Sequence, residues 1–208
     1  MKNYNISKNE KSIALSIKEN DIMSKYTEQY PWLRLRSLYT GEICTETDAY
    51  DDIMEGWQIA FGEMMLKELD KAIREKHLED EFVFEQVKEK FGRLVMYVNV
   101  SDPDINNILD KYAALSENIC MNCGKPDVPM LNMSWISPIC EECYNKMTYR
   151  HGPKRCEVEP YETVASKDTR MAEKLKYTRY SKGARYDVEI DISATAEAIR
   201  KQYQERTK

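Results

Sequence analysis

From Ile53 onward the apolar positions fall at three- and four-residue steps: Ile53, Trp57, Ala60, Phe61, Met64, Leu69, Ala72 and Ile73. That stripe predicts one long helix from about Thr47 or Asp48 to about His77. Asp48, Asp51, Asp52 and Glu55 gather at its start and Lys67, Lys71, Arg74 and Lys76 at its end, which suits the helix dipole. Gly56 and Gly62 interrupt the stripe, and each weakens a helix by roughly 1 kcal/mol relative to Ala. Their presence predicts that another backbone comes close beside Trp57. Trp57 itself reads either as a core side chain under the sheet or as a stacking platform for a base.

The period then changes from helical to two. Phe82–Lys90 and Arg93–Val100 predict two strands joined at Phe91-Gly92, an antiparallel hairpin. Leu94, Met96, Val98 and Val100 would share one face, and Arg93, Val95, Tyr97 and Asn99 the other. Lys88, Lys90 and Arg93 meet at the turn, as a phosphate contact or as an ordinary solvated turn. Asp102 and Pro103 read as N-cap and first position of the next helix, with Ile105, Ile108, Leu109, Tyr112, Ala113 and Ser116 inward.

The flanks are less regular. Residues 1–24 form a polar arm in which Ile13, Leu15 and Ile17 alternate faintly. Pro31 suits the first turn of a short helix that ends by Gly41, with Trp32, Leu35 and Tyr39 toward a core. Beyond His151-Gly152-Pro153 the chain reads as an appendage. Its residues 173–187 interleave Lys174, Lys176, Arg179, Lys182 and Arg185 with Tyr177, Tyr180 and Tyr186. Charge for phosphate and rings for bases suit single-stranded nucleic acid, against a bland solvated tail. Tyr186, Val188, Ile190 and Ile192 alternate as an edge strand, and Ser193 is placed to cap a final helix bearing Ala196, Ile199 and Tyr203.

Charge changes this picture in one respect. The 208 residues carry a net charge of −5, which argues against a protein wrapped throughout in nucleic acid. Residues 151–208 hold +3 of it, leaving −8 for residues 1–150. There is no apolar run of membrane-spanning length and no signal-peptide pattern, so a cytoplasmic setting without membrane partners is expected.

The strongest chemical signal is in the cysteines. Cys120-Met-Asn-Cys123-Gly124 and Cys140-Glu-Glu-Cys143 are two CxxC pairs with sixteen residues between Cys123 and Cys140. Each pair folds into a knuckle that aims two sulfurs at one point, and four thiolates make a closed tetrahedral shell for structural Zn²⁺. Gly124 supplies the positive φ such a turn often needs. Cys44 and Cys156 have no such spacing and are left out of the metal set. Pro129–Ile139 predicts the short strands of a ribbon, Trp135 a cover for the metal, and a short helix follows with Tyr144, Met147 and Tyr149. Four cysteines buried or disulfide-bonded without metal are the alternative.

Gln86-Val-Lys-Glu-Lys-Phe-Gly92 with Leu94 and Tyr97, then a helix leading into Cys120-x-x-Cys123-Gly124, resembles a widespread family of uncharacterised phage and prophage proteins. Gly56-Trp57 upstream and Trp135 before the second cysteine pair extend the resemblance over about residues 28–145. Family members often read Phe-Gly-x-Leu-Arg-Phe-Tyr, whereas here the arginine stands at position 93 and Val95 takes its place. The resemblance implies a phage origin and a life in the host cytoplasm.

Together these readings predict an α+β protein, with an antiparallel hairpin-containing sheet packed on a long helix. Residues 1–24 are the arm, 25–118 the core, 119–150 a four-cysteine zinc ribbon and 151–208 a basic-aromatic extension. The expected function is a zinc-stabilised phage accessory protein that acts by binding, against a host defence protein or on a signalling nucleotide. Its candidate ligand residues are Trp57, Lys88, Lys90, Arg93, Tyr177, Arg179, Tyr180 and Arg185. A nucleic-acid-binding protein using the ribbon and the extension is the alternative, and self-association through the extension is a further expectation. A metal-dependent nuclease built on Asp80, Gln86 and Lys88 would need carboxylates around Mg²⁺. With only His77 and His151, and no glycine-rich phosphate loop, no catalytic constellation stands out.

Overall fold

The computed structural model describes residues 26–37, 39–132, 135–150, 171, 173–181 and 184–208. The N-terminal arm, with Ile13, Leu15 and Ile17, therefore lies outside the described residues, as do Cys156 and Lys182. The protein is α+β, with a four-stranded mixed sheet, two separate hairpins and a helical layer.

Pro31 opens a single 3-10 turn, Pro31–Leu33, rather than a helix. The chain runs straight on into β1 (Arg34–Arg36) and returns as β2 (Ile43–Asp48). Trp32 and Leu33 are buried and Leu35 is half-buried, but Tyr39 is 99% exposed at the hairpin loop and faces no core. β2 also displaces the start of the long helix. Asp48 is fully buried, and its Oδ1 accepts from the amides of Tyr50 at 2.9 Å and Asp51 at 3.2 Å. Thr27 Oγ1 donates to the other carboxylate oxygen. An aspartate bonded to amides two and three residues on makes a turn, not a helix interior.

The helix begins instead at Glu55. It runs as α1 (Glu55–Trp57), a π-helical stretch (Gln58–Gly62) and α2 (Glu63–Glu75). The Gln58 side-chain amide donates back to the carbonyls of Tyr50 at 3.0 Å and Ile53 at 2.8 Å, locking this entry. The expected stripe is inward except for half-buried Met64, and Met65 and Leu66 join it.

β3 (Phe84–Lys90) and β4 (Arg93–Val98) form the expected antiparallel hairpin, with Lys90 opposite Arg93. β1 pairs with β3 in parallel, giving the sheet order β2-β1-β3-β4. Phe82, Phe84, Val87 and Leu94 face the core, where Trp32 meets Phe82 edge-on at 5.6 Å. α3 (Pro103–Ser116) packs against both β4 and α2. Asp102 Oδ1 caps it, accepting from the amides of Asp104 at 2.9 Å and Ile105 at 3.2 Å. α3 thus joins the long helix in covering the core that the sheet lines.

β5 (Met130–Asn132) and β6 (Ile136–Pro138) make a small antiparallel pair, and α4 (Glu141–Arg150) follows. β7 (Lys174–Ser181) and β8 (Ala184–Asp191) form a second long hairpin leading into α5 (Ser193–Arg206). Ser193 does not cap α5: it is the first helical residue, Ile192 stands at the cap with no side-chain bond, and Asp191 Oδ1 just before it accepts from the Ser193 amide at 2.9 Å and hydroxyl at 2.5 Å. The C-terminal region is not an appendage. Met171, Ile192, Ala196 and Ile199 are buried in the same core as Trp57 and Tyr112. Among the described residues, no helix is long and apolar enough to cross a membrane.

Candidate metal centre

The end of α3 delivers Ile119, fully buried, and the chain then turns sharply at Cys120–Gly124. The Gly124 amide donates to the Cys120 carbonyl at 2.9 Å, and the Cys120 amide to the Lys125 carbonyl at 2.8 Å. Gly124 has φ +74°, as the turn requires. The second pair sits at the start of α4, where the Tyr144 amide donates to the Cys140 carbonyl at 2.9 Å.

These turns bring four sulfurs together. Sγ of Cys120, Cys123, Cys140 and Cys143 all lie within 4.8 Å of one another, and Cys123 and Cys140 are 3.7 Å apart. Four sulfurs at about 2.3 Å from one ion stand about 3.8 Å apart, so the cluster has the size of a tetrahedral metal site. Cys120 and Cys140 are buried, Cys123 and Cys143 half-buried, with Val128, Leu131 and Ile139 around them. Cys44 lies apart in β2, with its sulfur 3.7 Å from Thr47 Oγ1. Among the described residues this is the one group of three or more His, Cys, Asp or Glu side chains close enough to hold an ion.

The electrostatics are uneven in a telling way. Burial opposes ionisation of Cys120, but the amides of Cys140, Cys123 and Asn122 point at its sulfur and bring its pKa below the ordinary thiol value. Burial and the neighbouring Cys120 charge push Cys123 up to about 11. Burial and Cys120 also raise Cys143. One thiolate, Cys120, is thus favoured by the backbone, while ionisation of Cys123 and Cys143 is opposed unless a cation stands among them.

The knuckle is seated on the helix by close backbone contact. A Cβ on Gly56 would stand 2.1 Å from the Cys120 carbonyl oxygen. The Gly56 amide donates to the Met121 carbonyl at 2.8 Å. A Cβ on Gly124 would meet the Gly56 carbonyl oxygen at 2.7 Å. The backbone approach expected beside Trp57 is therefore the cysteine knuckle itself. Gly62 serves a side chain instead, the Tyr50 ring.

Two long-range ties from α5 hold the far side. Arg200 donates to both carboxylate oxygens of Asp127, at 2.8 and 3.0 Å, and Arg206 Nη2 donates to the Cys123 carbonyl at 2.9 Å. Asp127 stands at positive φ just after the first pair and also accepts from the Met171 amide at 2.9 Å. Sequence spacing gives no sign of these ties, since Asp127 and Arg200 are 73 residues apart.

The remaining candidate residues do not form one site. Trp57 is 0% exposed and its indole donates to the Ile119 carbonyl at 2.9 Å, so it is a core side chain beside the knuckle and offers no face to a ligand. Arg93 is paired with Glu117 at the end of α3. Lys88 and Lys90 remain on the exposed hairpin face, with Lys88 Nζ 2.6 Å from Gln86 Oε1. Trp135 does not cover the cysteines. It stacks on Phe91 at the hairpin turn and donates to Glu89 Oε2 at 3.0 Å.

In the C-terminal hairpin the cations with described side chains, Lys174, Lys176 and Arg185, are all paired. Lys174 and Lys176 both reach Glu189, at 2.9 and 3.1 Å, and Arg185 reaches Asp187 at 3.5 Å. The Tyr177 hydroxyl donates to Asp110 on α3. Arg179 and Tyr180 lie in β7, and their side chains are outside the described residues. The chain matches no protein-family model, no curated protein and no solved structure.

Proposed function

We propose that the four cysteines hold one structural zinc ion and that the protein works by binding rather than by catalysis. The observation that carries this reading is the closed shell. Four sulfurs converge at tetrahedral spacing, two of them buried, on a knuckle pressed against Gly56. Zinc is the ion such a thiolate set favours, and four protein ligands leave no position for a substrate or an activated water. The ion would neutralise the thiolates that the protein alone leaves unfavourable and would join the turn after α3, itself seated on Gly56, to the end of the ribbon β5–β6 and the start of α4. Because these segments are distant in sequence, its contribution to folding would be on the order of 10 kcal/mol.

The resemblance of residues 28–145 to phage proteins directs this binding activity toward a host macromolecule in the host cytoplasm. Affinity capture from infected cells, with the intact chain as bait and a Lys88→Ala, Lys90→Ala double variant as control, tests that part. Recovery of one macromolecule with the intact chain and its loss with the control supports it, and recovery of nothing counts against it.

Among nucleic-acid readings the C-terminal hairpin is the weaker carrier, because Glu189 and Asp187 take up Lys174, Lys176 and Arg185, the hairpin cations whose side chains are described. The β3–β4 turn is the stronger one.

A further inference from the structure

The tip of the β3–β4 hairpin combines two costs that folding alone does not explain. Phe91 has φ +53° in a two-residue turn with Gly92 at φ +77°. Turns of this shape favour Asn-Gly or Asp-Gly, and a left-handed conformation costs an aromatic L-residue relative to either. Phe91 is also 57% exposed, so it gains little burial for that strain. Strain and exposed aromatic surface coinciding at one residue is a pattern of binding sites.

The surroundings say what kind of ligand fits. Trp135, 53% exposed, lies nearly parallel to Phe91 with centroids 5.9 Å apart and an interplanar angle of 22°. Glu89 fixes this pair: one oxygen accepts from the Trp135 indole at 3.0 Å and the other from the Gly92 amide at 2.5 Å. Its charge is thus drawn into the turn. Lys90 Nζ sits 5.6 Å from the Phe91 ring centre, and Lys88 Nζ sits 5.2 Å from that of Tyr97, which is 45% exposed. Lys88 and Lys90 make no ion pair among the described residues. The register opposes Lys88 to Val95, Lys90 to Arg93 and Gln86 to Tyr97, so both lysines share the sheet face that carries Tyr97.

We infer that the tip of this hairpin binds single-stranded nucleic acid, with phosphates at Lys88 and Lys90 and a base on Tyr97 on one face, and the strand continuing around the turn onto the Phe91–Trp135 pair, which Glu89 holds on the other face. The stretch from Arg93 to Tyr97 spans about 13 Å of strand, the reach of a short oligonucleotide. An apolar protein surface would satisfy the rings and leave two ammonium groups facing it. A strand of bases and phosphates satisfies rings and cations together. The inference rests on the binding reading above and gives it a ligand class.

Trp135 is the exposed one of three tryptophans, since Trp32 is 5% and Trp57 0% exposed, so its fluorescence reports on the hairpin tip. The zinc-loaded full chain is titrated with a ten-residue oligothymidylate, and zinc content is measured in the same samples. Saturable quenching is expected, absent in Trp135→Phe. Two lysines limit the log–log salt slope to about −1.4, at about 0.7 per phosphate. Phe91→Asn, which relieves the strain but loses the stacking on Trp135, should weaken binding on the order of ten-fold or more while leaving the melting temperature nearly unchanged. Absence of quenching, or affinity for a dye-labelled form of the same oligonucleotide, read by anisotropy, that is untouched by both Phe91→Asn and Trp135→Ala, overturns the inference. Capture of a protein through these residues without oligonucleotide quenching overturns it in favour of a protein interface. Zinc-loaded protein that fails to bind sinks this inference alone; folded protein without zinc sinks the metal reading alone.

Discussion

The cysteine knuckle and the β3–β4 tip are both tight turns ending in a glycine at positive φ, Gly124 and Gly92, and both meet the rest of the protein through close contact at or beside that glycine. They differ in what they do with their chemistry. The knuckle turns its sulfurs inward, under Val128, Leu131 and Ile139, and fastens its carbonyls to Gly56, Trp57 and Arg206 through Met121, Ile119 and Cys123. The tip turns its rings and two lysines outward, using Glu89 only to hold them in place. The first arrangement is that of a staple, the second that of a surface. On the proposed binding role, the direction in which a turn presents its residues, rather than how reactive they look, is the guide to where a partner would meet this protein.

The sharpest way to break the comparison is to remove a ligand. Cys123→Ser should abolish stoichiometric metal and cost more than a small domain can spare, leaving a chain without a cooperative melting transition by circular dichroism. A normal melt for this variant would mean that the knuckle is not a staple. Gly56→Ala comes next. The added methyl would fall within contact distance of backbone on the other side, so the knuckle must move, at a cost of roughly 3 kcal/mol in urea unfolding. Arg200→Ala should follow at about 2 kcal/mol, because it strips a bidentate partner from Asp127 beside the knuckle. Its measurement separates the α5 tie from the metal, since zinc content should stay at one per chain. At the tip, Phe91→Asn should change stability by no more than about 1 kcal/mol, lost stacking on Trp135 offsetting relieved strain. A large destabilisation there would make the tip structural and erase the contrast.

Much of this was legible in the sequence where a local rule decides. Asp102 and Pro103 announce α3, Phe91-Gly92 announces a turn between alternating runs, and the two CxxC pairs announce a converging cluster. Gly56 was legible as a close approach, although not what approaches. The failures lie where a partner distant in sequence decides. Asp48 reads as a helix-start residue, but burial beside Thr27 makes it a turn hub and lets Ile43–Asp48 pair as a strand with β1. The C-terminal segment reads as a solvated tail because its lysines and tyrosines are visible, while the carboxylates that absorb them lie on the opposite strand or on α3. Trp135 reads as a cover for the metal and Phe91 only as a turn residue for the same reason: their contact exists only once the ribbon folds back on the hairpin.

The most direct test of the structural-zinc account is a chelator titration of the purified full chain, following metal release and near-ultraviolet circular dichroism together. The account predicts about one zinc per chain at the outset. As the ion leaves, the environments of buried Trp57 and Tyr112 should be lost in the same transition. A chain that gives up its metal, or never held one, and keeps that aromatic signal and a cooperative melt would contradict it.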